Sequence, residues 1–299
     1  MNIKSKLKQI GVLTYFYDSF KKIYYKHFIS DKKLINKKFK KRLGRNVELR
    51  NPIYYNDKLQ WLKLYWHDPV ATTCADKYEV REFVKEKIGG KYLNDLLGVY
   101  ENVYDINLNK LPSSFVLKGT HGSGYNIICE NKNQMNWNKE FVKMRRWLRN
   151  NYYWPNREWV YKDIQPRIVC EKYLSDETGN PPMDYKIFCF HGEPKLIQVD
   201  IDRFGSHKSN LYNIEWILQD VEIENLSDKN ILIEKPATLN EMLDLSRKLS
   251  EDFPHVRVDF YNINDKVIFG ELTFFHHGGF GKFNPPEFEL QFGNYIKQP

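Results

Sequence analysis

The stretch RVDFYNINDKVIFGELTFF, residues 257–275, predicts a β-hairpin that carries charged side chains on one face. Aromatic and β-branched residues stand on both sides of a polar turn, which is typical of two strands joined by a short loop. Arg257 and Asp259 are two residues apart and share a face of the first strand, while Glu271 and Thr273 share a face of the second. This hairpin is therefore a candidate site.

The length of the turn decides whether these side chains meet. If Asn264–Lys266 form a three-residue loop, Asp259 lies opposite Glu271 and Arg257 lies opposite Thr273. A two-residue loop would shift the pairing by one residue and send Glu271 to the other face. We expect the arrangement in which all four side chains converge.

Two carboxylates that face each other across a sheet repel. A divalent cation removes this repulsion, and oxygen ligands with no His or Cys nearby favour Mg²⁺ that also binds substrate phosphates. The alternative is a salt-bridge cluster centred on Arg257, with no metal.

A second unusual stretch is FVLKGTHGSGYNII, residues 115–128. Lys118 ends an apolar run and three glycines follow within residues 119–124, whereas a hairpin needs only one or two residues with positive φ. The stretch is either an elaborate turn or a flap over phosphate groups. It is not a P-loop, in which lysine follows the glycines, and no G-x-G-x-x-G opens a helix as in a dinucleotide fold.

Charge is distributed unevenly over the 299 residues. Residues 1–50 carry 15 Lys or Arg against three acidic residues, whereas the remaining 249 residues carry 31 basic and 35 acidic residues. Residues 1–45 predict a basic helical arm, which either packs on the body with a solvated lysine edge or docks at an anionic membrane surface. Nucleic-acid binding is a weaker third interpretation, because the basic character does not continue along the chain.

Cysteine usage and hydropathy favour a cytoplasmic protein. The four cysteines form no C-x-x-C pair, which indicates reduced, buried thiols rather than a zinc site. No apolar run has the length of a membrane-spanning helix, and no signal-peptide pattern follows the first residues.

Periodicity predicts an α+β fold in which antiparallel sheets carry helices on one face. The predicted helices, beyond the arm, span residues 57–66, 76–88, 138–150 and 238–253. The predicted strands span residues 167–174, 185–192, 194–202, 209–218, 255–263 and 267–275.

Taken in order, these features resemble the ATP-grasp superfamily. They are Lys118 before a glycine-rich flap, Glu171-Lys172-Tyr173 at a strand end, and the hairpin of residues 257–275. The chain as a whole resembles the TupA-like branch, associated with teichuronopeptide and other surface-polysaccharide biosynthesis, over roughly residues 50–290.

The resemblance implies an ATP-grasp fold, in which two α+β subdomains with antiparallel sheets grip ATP. We expect four parts in chain order, and all four boundaries follow from the resemblance and the charge pattern. These are a basic arm (1–45), a helical N-terminal subdomain (46–110), a small subdomain with the flap (111–173) and a large subdomain with the metal-binding hairpin (174–299).

The resemblance also implies which residues bind the nucleotide: Lys77, Lys118, Gly122, Ser123, Gly124, Glu171, Lys172, Tyr173 and Asp184. The two lysines correspond to cations that face the phosphates. The Gly-Ser-Gly segment corresponds to the flap over the β- and γ-phosphates, the Glu-Lys-Tyr segment to the hinge that holds adenine, and the aspartate to a ribose-binding acid.

On the hairpin, Asp259 and Glu271 match the magnesium ligands of the superfamily, with Thr273 as a third. Arg257 matches the catalytic cation that holds the acyl phosphate and the developing oxyanion. Lys118 is the second catalytic residue, and it reaches the phosphates and the adenine edge with its positive charge. Thr273 departs from the pattern, because the superfamily usually has asparagine there and a hydroxyl offers no amide carbonyl.

The acceptor side is defined less sharply by the sequence. The segment His276-His277-Gly278-Gly279 either lines the acceptor pocket or forms a surface loop. Residues 152–157 and His207 are further candidates for this side.

The implied function is an ATP- and Mg²⁺-dependent carboxylate–amine ligase that forms an amide through an acyl phosphate. The implied partners are an amino acid and a sugar of a bacterial capsule or surface-polysaccharide precursor, with no nucleic acid and with peripheral membrane contact through residues 1–45. The alternatives are a glycosyltransferase, a nucleotide-binding protein without turnover, and a kinase that stops at a phosphorylated product.

Overall fold

A computed structural model describes residues 28–177, 179, 181–201 and 208–297. The first 27 residues of the predicted arm and His207 lie outside these ranges. In the described ranges, no helix is both long and apolar enough to cross a lipid bilayer.

Helices open the described chain: α1 (Asp31–Leu43), α2 (Tyr55–Tyr65), α3 (Pro69–Ala75) and α4 (Val80–Lys87). The sequence sets their limits locally. Helix α1 ends at Gly44, whose φ of 76° is the left-handed conformation that glycine adopts easily. Helix α3 starts with Pro69, and the Asp68 side chain accepts a hydrogen bond from the Val70 amide at 2.9 Å.

Helix α1 packs on the body of the molecule. Leu34, Ile35 and Phe39 on one of its sides are buried. Each such side chain contributes about 1.5–3 kcal/mol when it leaves water. The part of the arm that the structure describes is therefore a docked helix.

A four-stranded antiparallel sheet follows, in the order β1-β4-β2-β3. Its strands are β1 (Leu96–Tyr100), β2 (Phe115–Gly119), β3 (Asn126–Cys129) and β4 (Ile168–Lys172). Helix α5 (Trp137–Leu148) covers one face and buries Met144 and Trp147 there, and the short helix α6 (Tyr153–Asn156) leads on from it. Edge strand β1 lies within residues 46–110, which we expect to be helical. The sequence does not predict this strand, because five residues are too few to show a period.

A five-stranded antiparallel sheet forms the rest of the molecule, in the order β10-β9-β5-β6-β7. Its strands are β5 (Asp184–Phe190), β6 (Glu193–Ile201), β7 (Lys208–Asn213), β9 (Val256–Ile263) and β10 (Lys266–Thr273). The remaining β-strands and α-helices of the described ranges are the two-residue strands β8 (Glu222–Ile223) and β11 (Phe283–Asn284) and the helices α7 (Leu239–Ser250) and α8 (Glu287–Asn294).

Helix α7 packs its apolar side on strands β5, β6 and β9. The opposite face of this sheet carries charged residues, including Asp184, Lys186, Asp200 and Asp259, all of which are buried. This arrangement confirms the predicted α+β class with antiparallel sheets.

The turn of the β9–β10 hairpin contains two residues, so the expected three-residue loop is wrong. Ile263 pairs with Lys266. Asn264 and Asp265 between them have φ values of 50° and 58°, as a tight type I′ turn requires. Asparagine and aspartate tolerate this left-handed conformation better than most residues, which favours the shorter loop.

A β-bulge nevertheless brings the four side chains of the hairpin together. Phe269 pairs with Phe260, the register then shifts at Gly270, and the next pairs are Glu271 with Asp259 and Thr273 with Arg257. The expected pairing is therefore present for a different reason: the extra residue lies in strand β10 rather than in the turn.

Candidate active site

A cavity of about 830 Å³ lies between the two sheets. Strands β2, β3 and β4 of the small sheet line one side, and β5, β6, β9 and β10 of the large sheet line the other. Ten of the predicted site residues line it: Lys77, Lys118, Ser123, Gly124, Glu171, Lys172, Tyr173, Asp184, Asp259 and Glu271. The other three predicted residues, Gly122, Arg257 and Thr273, are not part of this lining but are adjacent to residues that are.

Lys118 and Glu171 form an ion pair on the small sheet. They lie on adjacent strands β2 and β4, and Lys118 Nζ is 2.6 Å from Glu171 Oε2. Burial alone would lower the pKa of Lys118, but the charge of Glu171 outweighs it and the pKa is raised. Burial likewise opposes ionisation of Glu171, and the charge of Lys118 reverses the effect and lowers its pKa. Both groups are therefore ionised at neutral pH.

The flap, residues 119–124, lies between this pair and the large sheet. Lys77 donates to the Gly122 carbonyl at 2.8 Å, and its Nζ is 3.6 Å from Glu271 Oε2. Gly124 has a φ of 74°, which favours glycine. A Cβ on Gly122 would lie 2.7 Å from Cδ2 of Tyr152, so glycine is required there by close packing.

Arg257 is the centre of a cluster on the hairpin. Its Nε and Nη2 donate to the two carboxylate oxygens of Asp259 at 2.7 and 2.6 Å, which is a bidentate pair. Nη2 is also 3.4 Å from Glu271 Oε1 and 3.1 Å from the Thr273 hydroxyl oxygen. The Arg257-centred cluster that the sequence leaves as an alternative is thus present.

His276 completes this cluster and is buried, so the surface-loop interpretation is wrong for it. Its Nδ1 is 2.6 Å from Arg257 Nη1. Because a guanidinium only donates, Nδ1 accepts and the ring proton is on Nε2. Burial, followed by the charges of His277 and Arg257, lowers the pKa of His276 well below its ordinary value, which keeps the ring neutral.

Buried polar groups hold the turn that carries His276. Gln60 and Lys63 of helix α2 donate to the Gly278 carbonyl, and Gln60 also donates to the Gly279 carbonyl. Both glycines have positive φ values, 61° and 65°. Helix α2 thereby fixes the position of His276 against Arg257.

Sequence reasoning missed Lys186 and Asp200, which form a second charged row with the predicted Asp184. Lys186 lies between Asp184, at 3.2 Å, and Asp200, which also accepts from Ser209 at 2.9 Å and Gln198 at 2.8 Å. Asp184 and Lys186 are two residues apart on strand β5, so the alternation rule could have found that pair. Asp200 comes from strand β6, and its approach depends on the register between strands.

The oxygen ligands of this cavity fit Mg²⁺. Asp259 and Glu271 face each other, and burial together with the neighbouring acids raises the pKa of Asp259, which the charge of Arg257 opposes. A divalent cation between Asp259 and Glu271 would be stabilised by the negative charges of these two carboxylates and of Asp184. Mg²⁺ commonly takes one or two carboxylates plus phosphates, and the described residues contain no group of three or more His, Cys, Asp or Glu suited to a metal.

Several solved structures have a similar arrangement of the chain. D-alanine–D-alanine ligase from Bacillus anthracis, complexed with ATP, is 19% identical over 67% of this chain and 53% of its own, with a TM-score of 0.38. An ADP complex of N5-carboxyaminoimidazole ribonucleotide synthetase is 12% identical over 82% of this chain and 57% of its own, with a TM-score of 0.44. L-amino acid ligase from Bacillus licheniformis is 15% identical over 75% of this chain and 49% of its own, with a TM-score of 0.42. This chain spans about half the length of these proteins.

A search of curated proteins found no match. A family model described as TupA-like ATPgrasp, in contrast, matches residues 57–297, which is most of the chain. The match confirms the predicted ATP-grasp fold, with ATP and Mg²⁺ as the cofactors. The chain therefore belongs to the TupA-like ATP-grasp family, within a superfamily of ATP-dependent ligases.

Proposed function

We propose that this chain is an ADP-forming carboxylate–amine ligase. The observation that supports it most is the opposition of Asp259 and Glu271 on the cavity wall, across from Lys118 and the flap. Paired carboxylates that face cationic groups and a glycine-rich loop suit a triphosphate with its metal ion.

The lining of the cavity suggests how ATP lies in it. The apolar lining residues Leu174, Met183, Ile231 and Ile233 suit the adenine ring beside the hinge residues Glu171, Lys172 and Tyr173. The hairpin carboxylates and Lys77 suit the phosphates under Gly122, Ser123 and Gly124. Lys118, which is ion-paired with Glu171, lies where the two parts meet. Asp184 also lines the cavity, and in this proposal it binds the ribose.

In this proposal, Mg²⁺ is held by Asp259 and Glu271, and when bound it offsets the charge of the phosphates during transfer. Thr273 lies beside Glu271, with its hydroxyl oxygen 3.2 Å from Glu271 Oε1, and orients that carboxylate. Arg257 holds both carboxylates in place from behind.

The reaction proceeds in two displacements. A substrate carboxylate oxygen attacks the γ-phosphorus of ATP, the bond from that phosphorus to the bridging oxygen breaks, and ADP leaves. An amine nitrogen then attacks the acyl carbon of the resulting acyl phosphate and loses a proton, and phosphate leaves as the C–O bond breaks.

The residues of the chain act on charge and water in these displacements. Lys77 and Lys118 stabilise negative charge on the phosphates and on the intermediates. Arg257 acts through the two hairpin carboxylates, which it keeps in position. The flap excludes water, which would hydrolyse the acyl phosphate.

We further propose that the reaction joins an amino acid to an amino sugar or uronic acid of a bacterial capsule or surface-polysaccharide precursor. The resemblance to the teichuronopeptide-associated branch supports this substrate class. The enzyme would then act in the cytoplasm, at the inner face of the cell membrane if its precursor is lipid-linked.

The decisive experiment measures ADP release by the full chain in the presence of Mg²⁺, with each amino acid against amino-sugar and uronic-acid glycans. We expect one combination to stimulate release, and Asp259→Ala to lower the rate by at least about a hundredfold. Asp105→Ala, which changes an exposed aspartate, is the matched control.

An Asp259→Ala rate above about a tenth of the wild-type rate would contradict the metal role. Transfer of a sugar from a nucleotide sugar without ADP release from ATP would instead support the glycosyltransferase alternative.

A further inference from the structure

Lysines predominate on one side of helix α1. Successive residues of an α-helix are about 100° apart, so Lys32, Lys33, Lys37, Lys40 and Lys41 fall within about half of the helix circumference, together with Asn36 and the last residue, Leu43. Leu34, Ile35 and Phe39 fall in the other half and are buried. We name the five lysines the lysine face; all are exposed.

The lysine face has a fixed orientation because the helix is fastened at several points. Phe39 meets Phe280 edge to face, with ring centroids 6.3 Å apart. Lys38 donates to the Asn156 side chain at 2.8 Å, and Asp31 lies 3.0 Å from Arg157 Nε. These contacts come from the buried side of the helix.

Within the described part of the chain, the five cations have no counter-charge at ion-pair distance. None forms an ion pair with a described residue, and the single acidic residue of the helix, Asp31, points to the body, where it meets Arg157. Like charges at neighbouring helix positions destabilise a helix. The lysine face is therefore available to an anionic partner.

The lysine face also lies at the hairpin end of the molecule. The helix contacts Asn156 through Lys38 and Phe280 through Phe39. Phe280 directly follows the His276–Gly279 turn, whose first residue contacts Arg257. Helix α1 thus packs beside the residue that follows the turn whose His276 contacts Arg257.

We propose that the lysine face docks on the anionic headgroups of a lipid bilayer and holds the Arg257 end of the cavity close to that surface. Lysine is a compact charge that attracts headgroups without requiring a paired geometry, and about fivefold in affinity per lysine is typical near an anionic membrane. Phe28, three residues before the helix begins and 73% exposed, offers an aromatic ring that can lie at the membrane interface.

A bilayer is favoured over a nucleic acid by the composition of the surface. The lysine face contains no arginine and no aromatic side chain to bind or stack on bases. Residues 51–299 carry more acidic than basic residues, so the basic character of α1 is not shared by the rest of the chain. The proposal concerns location and is independent of the reaction proposed above.

The test uses the full chain and sedimentation with phosphatidylcholine vesicles, with and without phosphatidylglycerol. Lys32, Lys33, Lys37, Lys40 and Lys41 are changed to Gln together. The matched control changes Lys110, Lys139, Lys235, Lys248 and Lys266 to Gln, which removes the same charge from exposed, scattered positions. Both variants retain residues 1–27 and are checked for wild-type circular dichroism and ATP binding.

We expect wild type and control to bind the phosphatidylglycerol vesicles alike, and the helix variant to bind at least about tenfold more weakly. Added salt should weaken wild-type binding. Equal binding by the two variants, no preference of the wild type for phosphatidylglycerol, or binding to single-stranded RNA but not to vesicles would each overturn the proposal. Loss of vesicle binding with unchanged ADP release would leave the ligase proposal intact.

Discussion

At the scale of single residues, the hairpin site depends on one buried guanidinium. Arg257 has donors in three directions and all are used: two carboxylate oxygens of Asp259, the Glu271–Thr273 pair, and His276. A buried charge is tolerated only when its hydrogen bonds are satisfied. The orientation of the Asp259 and Glu271 carboxylates therefore depends on His276, which contacts Arg257 from the other side.

This dependence predicts different effects for two substitutions of His276. His276→Leu removes the acceptor for Arg257 Nη1, and we expect it to lower the free energy of unfolding by about 1.5–3 kcal/mol, since the lost bond involves a charged donor. His276→Asn can present its side-chain oxygen to the same donor and should recover part of the loss. Urea denaturation and the MgATP affinity of both variants test this prediction.

If His276 only fills space, the leucine variant should be at least as stable as the asparagine variant, and both should bind MgATP equally. His277→Leu is the control at the adjacent position, because His277 is exposed and Arg257 donates to His276 instead.

Sequence reasoning at this scale succeeds where one strand carries the site and fails where distant segments meet. The two-residue spacing within each hairpin strand predicts the facing of Arg257, Asp259, Glu271 and Thr273, because alternation is a local property. The contact of Arg257 with His276 depends on the turn that Gln60 and Lys63 hold, and these come from a helix some 200 residues earlier. No local pattern reports such a contact.

At the scale of elements, the flap is confined between Lys77 and an aromatic group. Tyr152 contacts Gly122 and packs edge to face on Tyr125 and Tyr161, with ring centroids 5.8 and 5.1 Å apart. The Tyr152 ring therefore has little freedom to move away from the flap. Any movement of the flap must slide past this ring.

We therefore expect Gly122→Ala to impair the flap. The added methyl group would lie within 3 Å of the Tyr152 ring, and overpacking of this kind costs about 1–3 kcal/mol. ADP release should slow, or the KM for ATP should rise, by about tenfold, while the fold remains intact by circular dichroism. Steady-state kinetics of the variant provide the measurement.

Gly90→Ala is the control for this substitution, because a Cβ there would meet only the Lys85 side chain at 3.7 Å. Wild-type kinetics for Gly122→Ala would show that the flap tolerates a side chain and that its close packing on Tyr152 is irrelevant to turnover.

At the scale of the whole molecule, the cavity joins two sheets that have separate hydrophobic cores. The small sheet provides Lys118 and Glu171, and the large sheet provides Asp184, Asp259 and Glu271. Because no single sheet contains the site, a nucleotide that touches both sides also cross-links the two cores.

Binding of MgATP should therefore stabilise the whole molecule. A ligand at about 100 times its Kd stabilises a protein by about 2.7 kcal/mol, which raises Tm by several degrees. We expect this rise for the wild type with MgATP, and a smaller rise when Mg²⁺ is removed with EDTA. Thermal unfolding followed by intrinsic fluorescence provides the measurement.

Asp259→Ala should show the same small rise with and without Mg²⁺, because its metal contribution is already missing. A wild-type shift that is unchanged by EDTA would contradict a metal site on the hairpin.

The class of the fold and most of the cavity lining follow from the sequence, since long periodic segments and the ordered motifs span both sheets. The placement of β1 does not follow, because Leu96–Tyr100 is short and joins the small sheet only by pairing with β4. Such pairings are set by tertiary packing, which a single strand does not encode.

The bulge at Gly270 has a consequence for how relatives of this chain can vary. Eleven residues separate Asp259 from Glu271, and four of them pair on each side of a two-residue turn, so one residue is left over. That residue could move into the turn, or be deleted, without separating the two acids. A relative whose ribbon is one residue shorter can therefore keep the two acids opposite each other, so the number of residues between the acids is a weaker mark of this site than their pairing.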